Sequence, residues 1–265
     1  MRIVFIVFYF FISNTNSFSQ QTKQDYIKLA KEYGVKNEYK KSINCFTKII
    51  ELNPNDSTAY LERALLKQMI KDYKGAIMDF TKGGKINPSE VDYFFLRGIL
   101  YQRMKEYSKA IEDYNKTMTM EVNADAYRFR GQIKEINKDY RGALIDYNKA
   151  ISINRYSEVF KDRGLLKSKL NDSKGALEDI KSAIAIDSLD DTTFYARGKI
   201  YLRNKEINKA LIDFNKAIEL NKSHLYYYLE RALLESKLGQ KSKACEDFAI
   251  FLKLGGKSKH KIICN

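Results

Sequence analysis

The most regular pairing of charged residues in this sequence places an arginine sixteen residues before an aspartate. The pairs are Arg63 with Asp79, Arg97 with Asp113, Arg130 with Asp146, Arg163 with Asp179, Arg197 with Asp213 and Arg231 with Asp247. A free row of arginines would bind an anionic ligand, whereas paired arginines would hold the structure together. One period earlier both members are missing, because Leu29 and Cys45 stand there. This joint loss favours structural ion pairs.

Residue groups typical of catalysis or metal binding are missing from the sequence. The two histidines, His224 and His260, lie far apart and have no nucleophile at a paired spacing. Gly83-Gly84 and Gly255-Gly256 are isolated doublets and do not form a phosphate-binding loop. We therefore expect no enzyme activity, no cofactor and no metal site.

The three cysteines do not form a CxxC motif, which disfavours a zinc or redox site. Cys245 and Cys264 are separated by 19 residues near the C-terminus. We predict that they form a disulfide, which an exported protein permits; the alternative is that both remain thiols. Cys45 is expected to remain a buried thiol in the place of the missing aspartate.

The N-terminus resembles a secretion signal. Arg2 is followed by ten apolar residues, from Ile3 to Ile12, and then by a polar stretch that ends in Ser17-Phe18-Ser19. Such a pattern predicts a signal peptide over residues 1–19. An uncleaved anchor is the alternative, although a bilayer span needs about 20 apolar residues. We expect export to the periplasm or the outside of a bacterial cell, with no membrane span in the mature chain.

Composition indicates a folded, basic protein. Apolar residues make up 44% of the 265 residues and charged residues 30%, which is typical of a globular chain. The net charge is +14. Such an excess fits an anionic surface, an acidic partner or a merely solvated exterior. The charges are spread along the chain and form no block.

An internal repeat positions all these residues. A small residue recurs at spacings of 34, 34, 33, 33, 34 and 34, as Ser42, Ala76, Ala110, Ala143, Ala176, Ala210 and Ala244. An aromatic residue lies sixteen positions before it, another small residue twelve before it, and a large apolar residue four after it. Residues four apart share one face of a helix. The pattern within each unit therefore predicts two helices that approach closely at their small residues.

Two features mark the ends of these predicted helices. Asn53-Pro54 and Asn87-Pro88 close two units, since the residue before a proline disfavours the helical conformation. Gly83-Gly84 falls inside the second helix of its unit, at a cost of about 1 kcal/mol per glycine relative to alanine. We expect that helix to end early or to bend.

The period and the order of these columns resemble those of the tetratricopeptide repeat family. The likeness covers residues 23–256, in units that start near residues 23, 57, 91, 124, 157, 191 and 225. The arginine column and the scarcity of closing prolines depart from the family pattern. The resemblance implies an all-α fold, a right-handed superhelical solenoid of seven helix-turn-helix repeats. Residues 257–265 are expected to form a capping tail.

The resemblance also implies a concave groove lined by the first helix of each unit, which binds a peptide or a helix of a partner. The corresponding residues here are Leu61, Leu65, Phe95, Ile99, Arg103, Arg128, Gln132, Lys161, Lys169, Tyr195, Lys199 and Arg203. The early part is apolar and the later part basic. This pattern fits an acidic or mixed apolar and acidic segment, or else a solvated face. Nucleic acid is disfavoured by the expected export.

One well-known binding mode of the family is not supported by the residues here. Binders of chaperone tails carry a clamp of lysine and asparagine side chains on successive first helices, but the corresponding positions are Ile27, Lys31, Glu62, Asp92 and Leu96. The sequence therefore favours an exported scaffold for protein interactions. The alternatives are a basic protein that binds polyanions or the envelope surface, and a regulatory subunit of an envelope complex.

Overall fold

The computed structural model describes residues 22–257, and within them the chain is helical throughout, without a strand. The helices are α1 Lys23–Val35, α2 Tyr39–Leu52, α3 Ser57–Met69, α4 Tyr73–Ile86, α5 Asp92–Arg103, α6 Tyr107–Met120, α7 Ala124–Ile136, α8 Tyr140–Ile153, α9 Ser157–Lys169, α10 Ser173–Ile186, α11 Asp191–Arg203, α12 Ile207–Leu220, α13 Leu225–Lys237 and α14 Lys241–Lys253. The prediction of an all-α protein made of helical hairpins is confirmed. Below, odd-numbered helices are called first helices and even-numbered ones second helices.

The chain divides into two compact units, Met1–Met104 and Lys105–Asn265. In the first, α1 packs on α2, α2 on α3, α3 on α4 and α4 on α5. In the second, each helix from α6 to α13 packs on the next. The predicted signal, residues 1–19, and the tail beyond residue 257 lie outside the described residues.

Small residues bring the two helices of a hairpin together, as α7 with α8 and α11 with α12 show. Ala143 and Gly131 are buried where α7 meets α8. A Cβ added to Gly131 would lie 2.8 Å from the ring of Tyr147, which is fully buried. The aromatic ring therefore occupies the space that the missing side chain leaves. The same relation holds between Gly198 and Phe214, at 2.6 Å.

The glycine doublet in α4 does not shorten that helix, so the expectation of an early end was wrong. The helix runs to Ile86, and like the other second helices from α2 to α12 it has 14 residues. A Cβ on Gly83 would lie 2.3 Å from the ring of Tyr93, and one on Gly84 would lie 3.2 Å from Tyr93 Cβ. The doublet thus makes room for Tyr93 of α5, and this packing outweighs the weak helix propensity of glycine.

The turn within each hairpin uses a residue in the left-handed region. Positive φ angles occur at Asn37, Lys71, Lys105, Lys138, Asn171, Lys205 and Gly239, between 58° and 76°. Only one of these residues is glycine, although glycine adopts this conformation most easily. The turn therefore depends on the packing of the two helices that it joins.

Candidate partner-binding surfaces

The ladder of arginines and aspartates lies between the two helices of the hairpins. The distance from Nη2 to Oδ1 is 2.7 Å for Arg63 and Asp79, 2.7 Å for Arg130 and Asp146, 2.6 Å for Arg163 and Asp179, 2.7 Å for Arg197 and Asp213, and 2.7 Å for Arg231 and Asp247. In each pair Nε also donates to the other carboxylate oxygen. The five aspartates are at most 4% exposed. Arg97 and Asp113 belong to different compact units, and their pairing stays a prediction.

Five of the six arginines also reach the preceding hairpin, a contact that the sequence reasoning missed. In each of the five, Nη1 donates to a threonine or asparagine five residues after the small residue of the preceding second helix. The acceptors are Thr47 for Arg63, Thr81 for Arg97, Asn115 for Arg130, Asn148 for Arg163 and Asn215 for Arg231. The same 34-residue period would have revealed this column. Arg197 is the exception, because Lys181 occupies the acceptor position and has no acceptor oxygen on its side chain.

A second cation supports the buried aspartate in several hairpins. Lys67 lies 2.8 Å from Asp79, and Lys134 lies 2.8 Å from Asp146. Lys167 has the same relation to Asp179. Most ladder arginines thus contact both the aspartate of their own hairpin and a threonine or asparagine of the preceding hairpin. They join the repeats and are not available as a row of ligand-binding cations.

In the last hairpin a glutamate occupies the position of that second cation. Glu235 is 7% exposed, and its Oε2 has no hydrogen-bond partner. Burial raises the pKa of Glu235, and the charge of Asp247 raises it further. A carboxylate thus stands where other hairpins place an ammonium group.

The basic first-helix residues of the second compact unit are paired with acids. Arg128 Nε donates to Asp162 Oδ2 at 2.6 Å, and the amide of Gln132 donates to the same oxygen at 2.8 Å. Burial acts to lower the pKa of Arg128, but the charge and hydrogen bond of Asp162 outweigh it and raise the pKa. This link joins α7 to α9, and it spans 34 residues of sequence.

Lys161 makes the next link along this face. Its Nζ lies 2.9 Å from Asp190 and also donates to the hydroxyl of Thr192, so α9 is tied to the start of α11. Burial acts to raise the pKa of Asp190, but hydrogen bonds from Thr192, Thr193 and Lys161 lower it to about 2. Asp190 is therefore ionised at neutral pH and balances the charge of Lys161.

The remaining predicted cations of this unit also have partners. Lys199 lies 2.6 Å from Glu230, and Tyr195 donates to the same carboxylate at 3.5 Å. Burial, and then Glu230, raise the pKa of Tyr195. Lys169 lies 3.4 Å from Glu135, and Arg203 donates to the carbonyl oxygen of Ser168 at 2.6 Å. The part of the groove that was predicted to be basic is thus close to charge balance.

A cavity of about 570 Å³ opens between α9 and α11 in this unit. Leu165, Ile200 and Leu202 supply apolar walls, and Tyr195 and Lys199 lie beside them. Lys199 already binds Glu230, and Arg203, which also lines the cavity, donates to the carbonyl oxygen of Ser168. The apolar walls are therefore the largest part of the lining that is left for a ligand.

The first helices of the other unit carry an apolar stripe, formed by Ile27, Val35, Leu61, Leu65, Met69, Phe95 and Ile99. Leu61 and Leu65 are half-buried against the core of α3, α4 and α5. Val35 is 87% exposed and Met69 is 61% exposed. Arg103 continues the series on α5, but it donates to the hydroxyl of Tyr73 at 2.9 Å. The stripe therefore offers apolar rather than basic contacts.

A cavity of about 360 Å³ lies beside this stripe, between α1 and α3. Ile27, Phe46 and Leu66 line it, and Lys31 and Glu62 stand at its sides. The mainly apolar lining and the two charges of opposite sign fit an apolar side chain of a partner better than an anionic group.

Side chains suited to catalysis are not gathered within the described part of the chain. No group of histidine, cysteine and carboxylate residues there could hold a metal ion. His224 stacks on Tyr227, with ring centroids 4.0 Å apart. Cys45 is a buried free thiol, and burial raises its pKa. Cys264 and His260 lie outside the described residues, and the Cys245–Cys264 disulfide therefore stays a prediction.

None of the helices between residues 22 and 257 combines the length and the apolar composition that a membrane span requires.

Comparison with known proteins points to one family of helical repeats. Two models described as tetratricopeptide repeat match the chain, one at residues 26–56 and 91–121 and the other at residues 192–224. No curated protein sequence matches significantly.

Solved structures share the fold at low sequence identity. A tetratricopeptide repeat protein from Parabacteroides merdae is 15% identical, with a TM-score of 0.76 over 89% of this chain and 94% of that one. PilF of Pseudomonas aeruginosa is 18% identical, with a TM-score of 0.64 over 75% and 91%. YrrB, described as having an unusual peptide-binding site, is 22% identical, with a TM-score of 0.53 over 69% and 95%.

Proposed function

We propose, on the premise that the chain is a tetratricopeptide repeat protein, that it is a non-catalytic scaffold whose apolar stripe binds a segment of a protein partner. The observation that carries this proposal is the cavity of about 360 Å³ between α1 and α3, with the exposed Val35 and Met69 at the ends of the same helix faces. Exposed apolar surface in a groove is typical of a protein-binding site.

The chemistry of the partner follows from the charges on the first helices. An acidic segment would need free cations, but acids occupy Arg128, Lys161 and Lys199. Arg203 donates to the carbonyl oxygen of Ser168 and is the one groove cation of this unit without an acidic partner among the described residues. A segment with apolar anchors gains by burying them, at roughly 25 cal/mol per Å². We therefore infer a partner segment with apolar side chains, in an extended or helical conformation.

Site-specific photo-crosslinking in cells tests the location of the site. A photoreactive residue at position 35 should form an adduct with a partner, whereas one at position 189 should not, although Leu189 is 73% exposed. Adducts at both positions, or at position 189 alone, would count against the apolar stripe.

Substitution then tests the contribution of the stripe to binding. The double variant Val35→Asp and Met69→Asp should lose the crosslinked partner in a purified binding assay, while Leu189→Asp should retain it. Both changes are at exposed positions, so the fold should persist, which thermal denaturation can check. Binding through apolar anchors should change little between low and high salt, whereas binding through phosphate or other polyanions should weaken steeply.

We also propose that the chain is exported, from the apolar run and the small residues near Ser19. Fractionation of cells and N-terminal sequencing of the recovered protein test this. A chain that begins at Gln20 in the periplasm or medium is expected, and a cytoplasmic chain that retains Met1 would contradict it.

A further inference from the structure

Once the six predicted Arg–Asp pairs are set aside, most of the remaining positive charge lies on the second helices. Outside the six predicted Arg–Asp pairs, the second helices carry 17 lysine or arginine residues against 5 glutamates. The first helices carry 13 lysine or arginine residues against 11 acids. The excess is therefore +12 on the second helices and +2 on the first helices, although the family's known ligands are expected on the latter.

Exposed apolar side chains lie between these cations. On α8, Ile145 is 58% exposed, and Arg141 and Lys149 lie four residues to either side, on the same face of the helix. On α4, Met78 is 71% exposed between Lys74 and Lys82 in the same way. The spacing of i, i+4 and i+8 gives α4 and α8 an outward row of cation, apolar residue and cation.

These cations are not used by the fold. Within residues 22–257 the side chains of Lys74, Lys82, Arg141 and Lys149 form no ion pair or hydrogen bond, unlike the paired cations of the first helices. A cluster of solvated cations on one face attracts an anionic surface.

We propose that the outward faces of the second helices in the second compact unit, here called the basic outer face, dock on the surface of a bilayer that contains anionic lipids. Cations near such a surface are attracted by the lipid phosphates, and an apolar side chain between them can enter the boundary between headgroups and acyl chains. Sites that bind nucleic acid typically carry aromatic side chains that stack on bases, but the residues between these cations are methionine and isoleucine. This proposal is independent of the partner site on the first helices.

Vesicle binding with matched charge variants tests the electrostatic part. The full chain is titrated with vesicles of phosphatidylglycerol and phosphatidylcholine, and with vesicles of phosphatidylcholine alone, and the ratio of the two affinities is measured. The variant Arg141→Gln, Lys149→Gln, Lys174→Gln removes three exposed cations of the second compact unit. It should lower this ratio roughly 100-fold, at about 1 kcal/mol per cation near an anionic surface. The control Lys28→Gln, Lys71→Gln, Lys237→Gln loses the same charge elsewhere and should leave the ratio nearly unchanged.

An equal loss in both triple variants would overturn the proposal, because net charge alone would then explain the binding. It would also be overturned if the full chain showed no preference for phosphatidylglycerol. If the full chain is retained on immobilised DNA or heparin but shows no preference for phosphatidylglycerol, the ligand is a polyanion other than lipid.

A tryptophan reporter tests the insertion of the apolar side chain, since the natural chain contains no tryptophan. The emission of Ile145→Trp should shift to shorter wavelength when phosphatidylglycerol vesicles are added. The emission of Ile136→Trp, at a position 54% exposed on the first helix α7, should not shift. A shift at position 136 without one at position 145 would contradict docking through the basic outer face.

Discussion

At the scale of single residues, the ladder arginines act as connectors between repeats. Arg163 binds Asp179 of its own hairpin through two nitrogens and Asn148 of the preceding hairpin through the third. Removing one partner of a buried ion pair costs about 3–5 kcal/mol, because the other charge is left uncompensated. The ladder therefore specifies how one hairpin packs on the next, which a row of ligand-binding arginines would not do.

The exception at Arg197 leads to a prediction. Lys181→Asn should supply the acceptor that other hairpins provide and remove a like charge, so the free energy of unfolding should rise by about 1 kcal/mol. Urea denaturation measures the change. Lys149→Asn, at an exposed position in the interior of α8 and outside the acceptor column, makes the same change of charge and helix propensity and should not stabilise. A loss of stability in Lys181→Asn relative to this control would contradict the role of the acceptor column.

Glu235 gives a prediction that depends on pH. Its pKa in the folded state is raised above the ordinary value of 4.5 by burial and by Asp247. The folded state thus holds this proton more tightly than the unfolded state, and stability falls as pH rises through the folded pKa. Glu235→Gln should therefore stabilise the protein at pH 7, and the gain should vanish below the ordinary pKa.

Denaturation curves at neutral and acid pH measure this difference. Glu246→Gln is the control, because Glu246 is exposed on α14 and should show little gain at either pH. A gain in Glu235→Gln that is equal at both pH values would contradict the electrostatic cause.

At the scale of helices, packing against neighbouring helices determines helix continuity and turn conformation where the local residue preferences are weak or unfavourable. The doublet Gly83-Gly84 is unfavourable for a helix taken alone, yet α4 continues through it because the ring of Tyr93 needs the space. Similarly, Lys71 and Lys138 adopt positive φ angles that lysine disfavours, since the two helices of the hairpin must meet at that turn.

Two glycine-to-alanine substitutions should have opposite effects on stability. Gly34→Ala in α1 meets nothing within 4 Å and should stabilise by up to about 1 kcal/mol, through helix propensity alone. Gly83→Ala in α4 gains the same propensity but places a Cβ 2.3 Å from the Tyr93 ring, and it should destabilise. Thermal melting of both variants measures the difference, and a stabilised Gly83→Ala would contradict the packing explanation.

At the scale of the molecule, the two classes of helix carry different surfaces. The first helices hold an apolar stripe and a set of cations that are neutralised by links such as Arg128 to Asp162. The second helices hold most of the unpaired positive charge. The two proposals therefore assign partner binding to the apolar contacts of the first helices and the response to anions and salt to the second helices.

The C-terminal disulfide remains the prediction that concerns the end of the repeat array. Closing the loop between Cys245 and Cys264 should stabilise the last hairpin by roughly 3 kcal/mol through the entropy of the unfolded chain. Thiol counting on the denatured, non-reduced protein should find one free thiol, that of the buried Cys45. Three free thiols would contradict it.

The sequence by itself determined the hairpins, because the pattern that specifies them is local. Small and bulky residues four apart define a helix face, and the 34-residue period repeats that face along the chain. The same period indicated which arginine and aspartate share a hairpin, such as Arg63 and Asp79.

Only the tertiary structure decided the partners of the groove cations and the fate of the glycine doublet. The sequence placed Lys161 on a face that fits either an acidic segment or solvent, and the structure places its Nζ 2.9 Å from Asp190, at the start of α11. A hydrogen bond depends on a few tenths of an ångström in the placement of neighbouring helices, and periodicity does not specify placement that finely. The continuity of α4 through Gly83 likewise depends on a ring that a different helix supplies.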